Sequence, residues 1–173
     1  MDLSRQLALI DGQIAGMVAI PDVDLELAVP RVSGWSVGQQ LDHLSRVGGN
    51  VARALAKAAE AGTFGESETP LPTRLVGRAL LRAGWFPRGV ARAPKSAMPD
   101  AVCDGSGIRA RFESMREGMR AVEGRGAELL AVRSRMKHPR FGGLTPERWV
   151  RFLYVHQRHH LKIVRDIYRA AGR

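Results

Sequence analysis

Apolar residues recur every three or four positions through most of this chain, a period that leaves room for little besides amphipathic helices packed around one core. Leu3, Leu7, Ile10, Ile14, Met17 and Val18 form one such stripe, which ends before Pro21. Leu44, Val47, Val51 and Leu55 form a second, running from a start at Ser36 toward Gly62. Ile108, Phe112, Met115, Met119, Val122, Leu129, Leu130 and Val132 predict a third long helix from about Gly107 to Met136. A last stripe, Trp149, Phe152, Leu153, His156, His160, Ile163, Val164 and Ile167, predicts a helix reaching about Ala171. Four long amphipathic helices imply an all-α four-helix bundle.

Punctuation between the stripes agrees with this reading. Ser36 followed by Gln39 forms a capping box, and Thr145-Pro146-Glu147 reads as N-cap, proline at the first helical position and an acid in the first turn. Pro21 to Gly34 is a connector whose alternating Val23, Leu25 and Leu27 predict an extended crossing. Gly48-Gly49 predicts a bend or a close helix contact inside the second helix. Between helices 2 and 3, a loop over Gly62 to Pro72 precedes a short extra helix, Thr73 to Trp85, with Leu75, Val76, Ala79 and Leu80 as its apolar positions. The proline-broken stretch Pro87 to Asp104 follows, long for a bare loop and therefore expected to cover a pocket or serve a function. His138-Pro139-Arg140-Phe141-Gly142-Gly143 turns the chain, and little reads as strand.

With 173 residues and 45% of them apolar, the chain is read as one domain, 1–173, able to bury its own core. Cys103 is the only cysteine, which excludes an intramolecular disulfide and a thiolate-rich zinc cluster and predicts a reducing, cytoplasmic setting. The first residues lack the basic opening and apolar run of a signal peptide, and no apolar stretch approaches membrane-spanning length, so no membrane partner is expected. A net charge of +10 raises the question of nucleic acid, yet the arginines are spread along the chain. The nearest thing to a stripe is Arg109, Arg116 and Arg120, without interleaved exposed aromatics, which favours a solvated surface over an electrostatic nucleic-acid binder.

Within the last stripe, His156 and His160 stand one helical turn apart on a face that is otherwise apolar. A buried imidazole without a partner costs on the order of a few kcal/mol, so something must bond to these rings. Such a pair also fits two core imidazoles bonded to carbonyls or carboxylates; what points to a metal is His43, a third imidazole on another inward-facing helix. Three neutral imidazoles leave coordination positions open, the arrangement of a catalytic zinc or nickel site, and the vacancy suits a water or a substrate thiolate. Asp42, Asn50 and Asp166 are candidate acceptors for the ligands' remaining ring N–H groups, with surface positions as the alternative.

His159 is an alternative ligand or, preferably, a substrate-contacting and possible catalytic group; Arg158 suits either an anionic substrate or solvent. His138, in its turn, is given no role, Cys103 reads as an incidental thiol before a nucleophile, and Trp35, Trp85 and Trp149 read as packing anchors. There is no Gly-x-Ser-x-Gly elbow, no Walker loop, no dinucleotide fingerprint and no His-Glu-x-x-His pair.

The order Trp35-Ser36-Val37-Gly38-Gln39-Gln40-Leu41-Asp42-His43-Leu44, followed by a closing helix with His156-Gln157-Arg158-His159-His160, resembles the DinB/YfiT-like superfamily of four-helix metalloproteins. The run from His138 to Trp149 is similar to a DinB-like subgroup known as a domain of unknown function. The resemblance implies a divalent metal held by His43, His156 and His160. It also implies a small-molecule substrate, with metal-dependent transfer of low-molecular-weight thiols such as bacillithiol, mycothiol or glutathione among characterised relatives, and a possible homodimer. A metal-binding module without turnover is the alternative.

Overall fold

The computed structural model describes residues 2–65, 71–89 and 92–173. Four long helices dominate: α1 (Leu3–Val18), α2 (Val37–Ala61), α4 (Gly105–Gly124) and α6 (Pro146–Ala170). Each opens where the local chemistry dictates. Asp2 accepts the Arg5 amide at the head of α1, and Asp104 accepts the Ser106 and Gly107 amides at the head of α4. At the head of α2 both bonds of the Ser36–Gln39 capping box are made. Thr145 takes the N-cap position of α6 with Pro146 following, as expected, although its side chain makes no capping bond.

Going round the bundle the order is α1, α4, α2, α6, so α2 and α6 are neighbours. Their inner faces meet α1 and α4 in one core containing Ile10, Ile14, Leu44, Leu55, Phe112, Met115, Leu153 and Ile167. Of the glycine pair in α2, Gly48 serves a close contact: a Cβ there would sit 2.1 Å from the Met115 sulfur, so the absence of a side chain lets α4 press onto α2. Among the described residues no helix is long and apolar enough to cross a membrane.

Several boundaries differ from expectation. The third long helix does not run unbroken to Met136. It breaks at Arg125 (φ −117°, ψ 31°), between Gly124 and Gly126, whose high backbone entropy weakens a helix, and resumes as the short α5 (Gly126–Ala131). The chain then forms a small antiparallel hairpin, β1 (Met136–His138) with β2 (Gly142–Leu144), registered Met136 to Leu144 and His138 to Gly142. The Pro21–Gly34 connector is not extended throughout. It contains a 3₁₀ turn at Asp22–Asp24 that leaves Val23 in solvent and buries Leu25.

The extra helix is α3 (Leu71–Ala83); of its expected apolar positions Leu80 packs against the core, but the inward face is turned from the expected one. Leu75 and Val76 are exposed, while Gly77 and Leu81 are buried. Among the described residues helix α3 packs mainly on α6 and β2, and Gly77 lies so close to the Phe141 backbone that a larger residue could not face that way. Trp85, just after α3, is 58% exposed and so is not the buried packing anchor expected of it. Of the two loops between helices 2 and 3, residues 66–70 of the first and 90–91 of the second lie outside the described residues.

Candidate metal centre

His43 lies in the second turn of α2 and His156 and His160 in the middle of α6, so the contact between these two helices brings the three rings together. His43 and His160 are buried and His156 is partly so. The three present ring nitrogens within 4.8 Å of one another. The His156 Nε2 is 3.3 Å from the Nε2 of His43 and 3.2 Å from that of His160.

Protons are placed by the far side of each ring. His43 Nδ1 is 2.6 Å from the Ala97 carbonyl oxygen, which can only accept, so this nitrogen carries the N–H and Nε2 carries the lone pair. His160 Nδ1 donates in the same way to Gln40 Oε1 at 2.5 Å, and Gln40 is oriented by its own amide donating to Ser33 Oγ. Burial holds the His43 ring below the ordinary imidazole value, opposed by the bond to Ala97. His156 and His160 are pushed well below it by burial and by the neighbouring imidazoles.

Two lone pairs, from His43 and His160, therefore face the His156 Nε2 at hydrogen-bond distance. A proton on His156 satisfies one and leaves the other unmet. One cation at the focus satisfies all three nitrogens. The two separations from His156 fit: bonds of about 2.0–2.1 Å in tetrahedral geometry put ligand nitrogens about 3.3 Å apart. The donor set of neutral imidazoles with no thiolate suits zinc or nickel and leaves at least one position free.

Aromatic rings enclose the cluster. Phe152 stacks on His156 with centroids 5.1 Å apart, and Trp35 lies 5.1 Å from His43 and 6.4 Å from His160. Phe86 stands 6.4 Å from His156 and 6.0 Å from His159. Behind Phe86 and Phe152 come Phe141, His138 and Trp149, whose indole donates to the Met136 carbonyl.

The three residues considered as ring acceptors, Asp42, Asn50 and Asp166, do not take that part. Asp42 points away from the imidazoles and is bonded by Arg46, Arg111 and the Asp100 amide. Asn50 bonds Arg53, and Asp166 pairs with Arg88 at 2.6 Å. The true acceptors, Ala97 O and Gln40 Oε1, escaped sequence reasoning. A backbone carbonyl has no signature in the sequence, whereas Gln40, one turn before His43 on the same helix face, was visible there as a polar residue on a buried stripe. The expectation that the 87–104 segment covers a site holds: a 3₁₀ turn at Lys95–Ala97 delivers the carbonyl to His43.

His159 is not in the cluster, but its ring is 5.1 Å from that of His160. Burial and Arg88 hold it below the ordinary imidazole value, against the opposing bond it makes to the Phe86 backbone. His138, which carried no expected role, accepts the Arg140 and Phe141 amides on Nδ1 and caps the hairpin turn. The Cys103 thiol is raised by burial and by Asp42 and Asp100, which disfavours a thiolate. Arg158 is committed to the Gly84 carbonyl. Of the arginine stripe on α4, Arg109 pairs with Asp22 and Arg116 with Asp11, so part of its charge is neutralised within the molecule.

No curated protein and no solved structure matches the chain. Residues 18–164, which take in all three clustered histidines, match the DinB superfamily, and with most of its length so matched the chain belongs to that superfamily.

Proposed function

We propose that the protein is a metal-dependent enzyme in which His43, His156 and His160 hold one divalent ion, zinc or nickel, for transfer of a low-molecular-weight thiol, or of water, to a small electrophilic substrate. The observation that carries this reading is the convergence of three Nε2 atoms, two of them fixed as lone-pair donors by Ala97 and Gln40. Such an ion supplies Lewis acidity that brings a bound thiol or water toward ionisation near neutral pH.

The chain's own residues set the conditions for that chemistry. Phe86, Phe152 and Trp35 exclude bulk water from the imidazoles and so strengthen electrostatic interactions there. Ala97 and Gln40 hold two rings in one tautomer and orientation, removing reorganisation that a mobile ring would require. His159, bonded to the Phe86 backbone with its ring 5.1 Å from that of His160, would be the group beside the cluster to accept a proton from a thiol or water held there.

Small thiols paired with electrophiles are to be assayed with protein of measured metal content, with and without chelator. Turnover that chelator abolishes and added zinc or nickel restores is expected. Stoichiometric metal binding without chelator-sensitive turnover would instead indicate a binding module. Absence of metal binding after loading, with His43→Ala behaving as the parent protein, would remove the reading altogether.

A further inference from the structure

Beside the aromatic wall, the turn following α3 lies over α6 and encloses a groove of about 420 Å³, within the size range of small-molecule sites. Its walls carry four cationic side chains, Arg88, Arg158, Lys162 and Arg165, together with the indole of Trp85. The four do different things. Arg158 donates to the Gly84 carbonyl at 2.5 Å and lies over the Tyr154 ring, so it fastens the turn to the helix. Gly84 has φ +65°, and a Cβ there would come within 3.2 Å of the Arg158 guanidinium, so this approach requires glycine. Arg88 is paired with Asp166. Among the described residues Lys162 and Arg165, one turn apart on α6, make no direct ion pair or hydrogen bond, although Asp166 also feels the charge of Lys162.

A groove with two cations held in no direct ion pair at one wall and Trp85, 58% exposed, at another is matched by a ligand with both a negative group and a flat apolar body. We propose that the groove binds a small organic anion of this class, an aromatic or conjugated ring bearing a carboxylate or phosphate. Trp85 takes the ring and Lys162 and Arg165 the anionic group. His159 lines the same groove, and its ring is 5.1 Å from that of His160, so a bound ligand lies one side chain from the imidazole cluster. Binding itself needs no metal; that the ligand is the substrate, or its recognised end, rests on the function proposed above.

The test uses full-length protein and three probes, 2-naphthoate, 2-naphthyl phosphate and the neutral 2-naphthamide, with binding followed by calorimetry and tryptophan fluorescence. One or both acids are expected to bind one per chain, the better one identifying the preferred anion, with the amide at least about tenfold weaker. Lys162→Ala/Arg165→Ala should weaken the acid about tenfold, the loss of about 1.4 kcal/mol expected for removing two partly screened charges. Trp85→Phe should abolish the fluorescence change. Lys57→Ala/Arg133→Ala, which removes two exposed charges elsewhere, should leave affinity unchanged. Equal affinity for the amide, an equal loss in this second double variant, or no loss in the first would overturn the proposal. So would a single-stranded oligonucleotide binding where neither small acid does. Because His43→Ala is expected to bind the acid normally, a failed metal site and a failed groove give different results.

Discussion

The imidazole cluster has a polar side and an aromatic side, and they hold their histidines differently. On the polar side, His43 and His160 each find an acceptor, Ala97 O and Gln40 Oε1, and behind these lies a network of Ser33, Asp42, Arg46, Arg111 and the Asp100 amide. On the aromatic side, His156 is stacked on Phe152, its buried Nδ1 has no hydrogen-bond partner among the described residues, and the rings beyond it are apolar apart from His138. One side fixes ring orientation by hydrogen bonds and the other by packing. An unsatisfied ring nitrogen costs about 1–3 kcal/mol, and His156 is therefore the ligand most dependent on a cation to offset its burial.

The largest effect should come from removing that cation. Zinc at a thousandfold excess over its dissociation constant is expected to stabilise the parent protein by about 4 kcal/mol through mass action. His156→Ala should abolish that increment and the metal content while the helical circular dichroism remains. A zinc-dependent rise in melting temperature that persists in the variant would refute the assignment of this ring.

Next in size is the polar side's anchor. Asp42 is 1% exposed and joins Arg46, Arg111 and the Asp100 amide, so it ties the 95–104 segment, and with it the Ala97 carbonyl, to α2. Asp42→Asn keeps the shape but loses the charge, and should cost about 3 kcal/mol in denaturant unfolding. It should also weaken zinc binding, because His43 loses a fixed acceptor. A stability loss with unchanged zinc affinity would show that the 95–104 segment holds its place without this network.

How far these two sides were legible from sequence follows from the kind of contact each uses. Helical stripes and the histidine spacing were readable because periodicity is a property of side chains on one helix, and Trp149 through Ile167 lie as that spacing predicts. Contacts made by backbone atoms were not. Ala97 acts through its carbonyl, and nothing about alanine at that position announces it. Asp42 is neither a ring acceptor nor a surface residue, since a carboxylate next to His43 in sequence points about 100° away from it on a helix and here is buried among Arg46, Arg111 and the Asp100 amide. The exposure of Leu75 and Val76 on α3 has the same root. Leu75 and Val76 obey a helical period, but the decision belonged to Gly77, where only a residue without a side chain can meet Phe141.

On the aromatic side the expected effect is smaller and is read in pH. Burial lowers His138 to about 4 from an ordinary value of 6.5. Between those values the unfolded chain binds more protons than the folded one, so stability rises with pH across that window. The contribution of His138 is complete above pH 6.5 and is lost as pH falls toward 4, by about 2 kcal/mol once partial exposure is allowed for. The cluster histidines slope the same way, so the informative quantity is the difference between the parent protein and His138→Asn in the presence of chelator, with stability followed from pH 7 to 4. A slope unchanged by the substitution would mean that the ring is not held neutral by the aromatic wall.

The smallest effect distinguishes the two ligands that share the polar side. Ala97 supports His43 with a carbonyl that survives any side-chain substitution, whereas Gln40 supports His160 with a side chain that can be exchanged. Gln40→Met keeps length and apolar packing but cannot take the His160 N–H as an amide oxygen does, and it releases the bond to Ser33 Oγ. Loss of such a supporting acceptor weakens metal affinity by about tenfold at the low end of its range. Gln40→Glu should move affinity the other way, because a carboxylate holds the ring N–H more firmly and makes the ligand nitrogen a better donor. Opposite shifts in zinc affinity for the two variants, with similar thermal stability in chelator, would mean that hydrogen bonding through the ring tunes this side of the cluster. Equal losses in both would mean that packing holds His160 as it holds His156, and that the two sides differ in composition but not in the way they position their ligands.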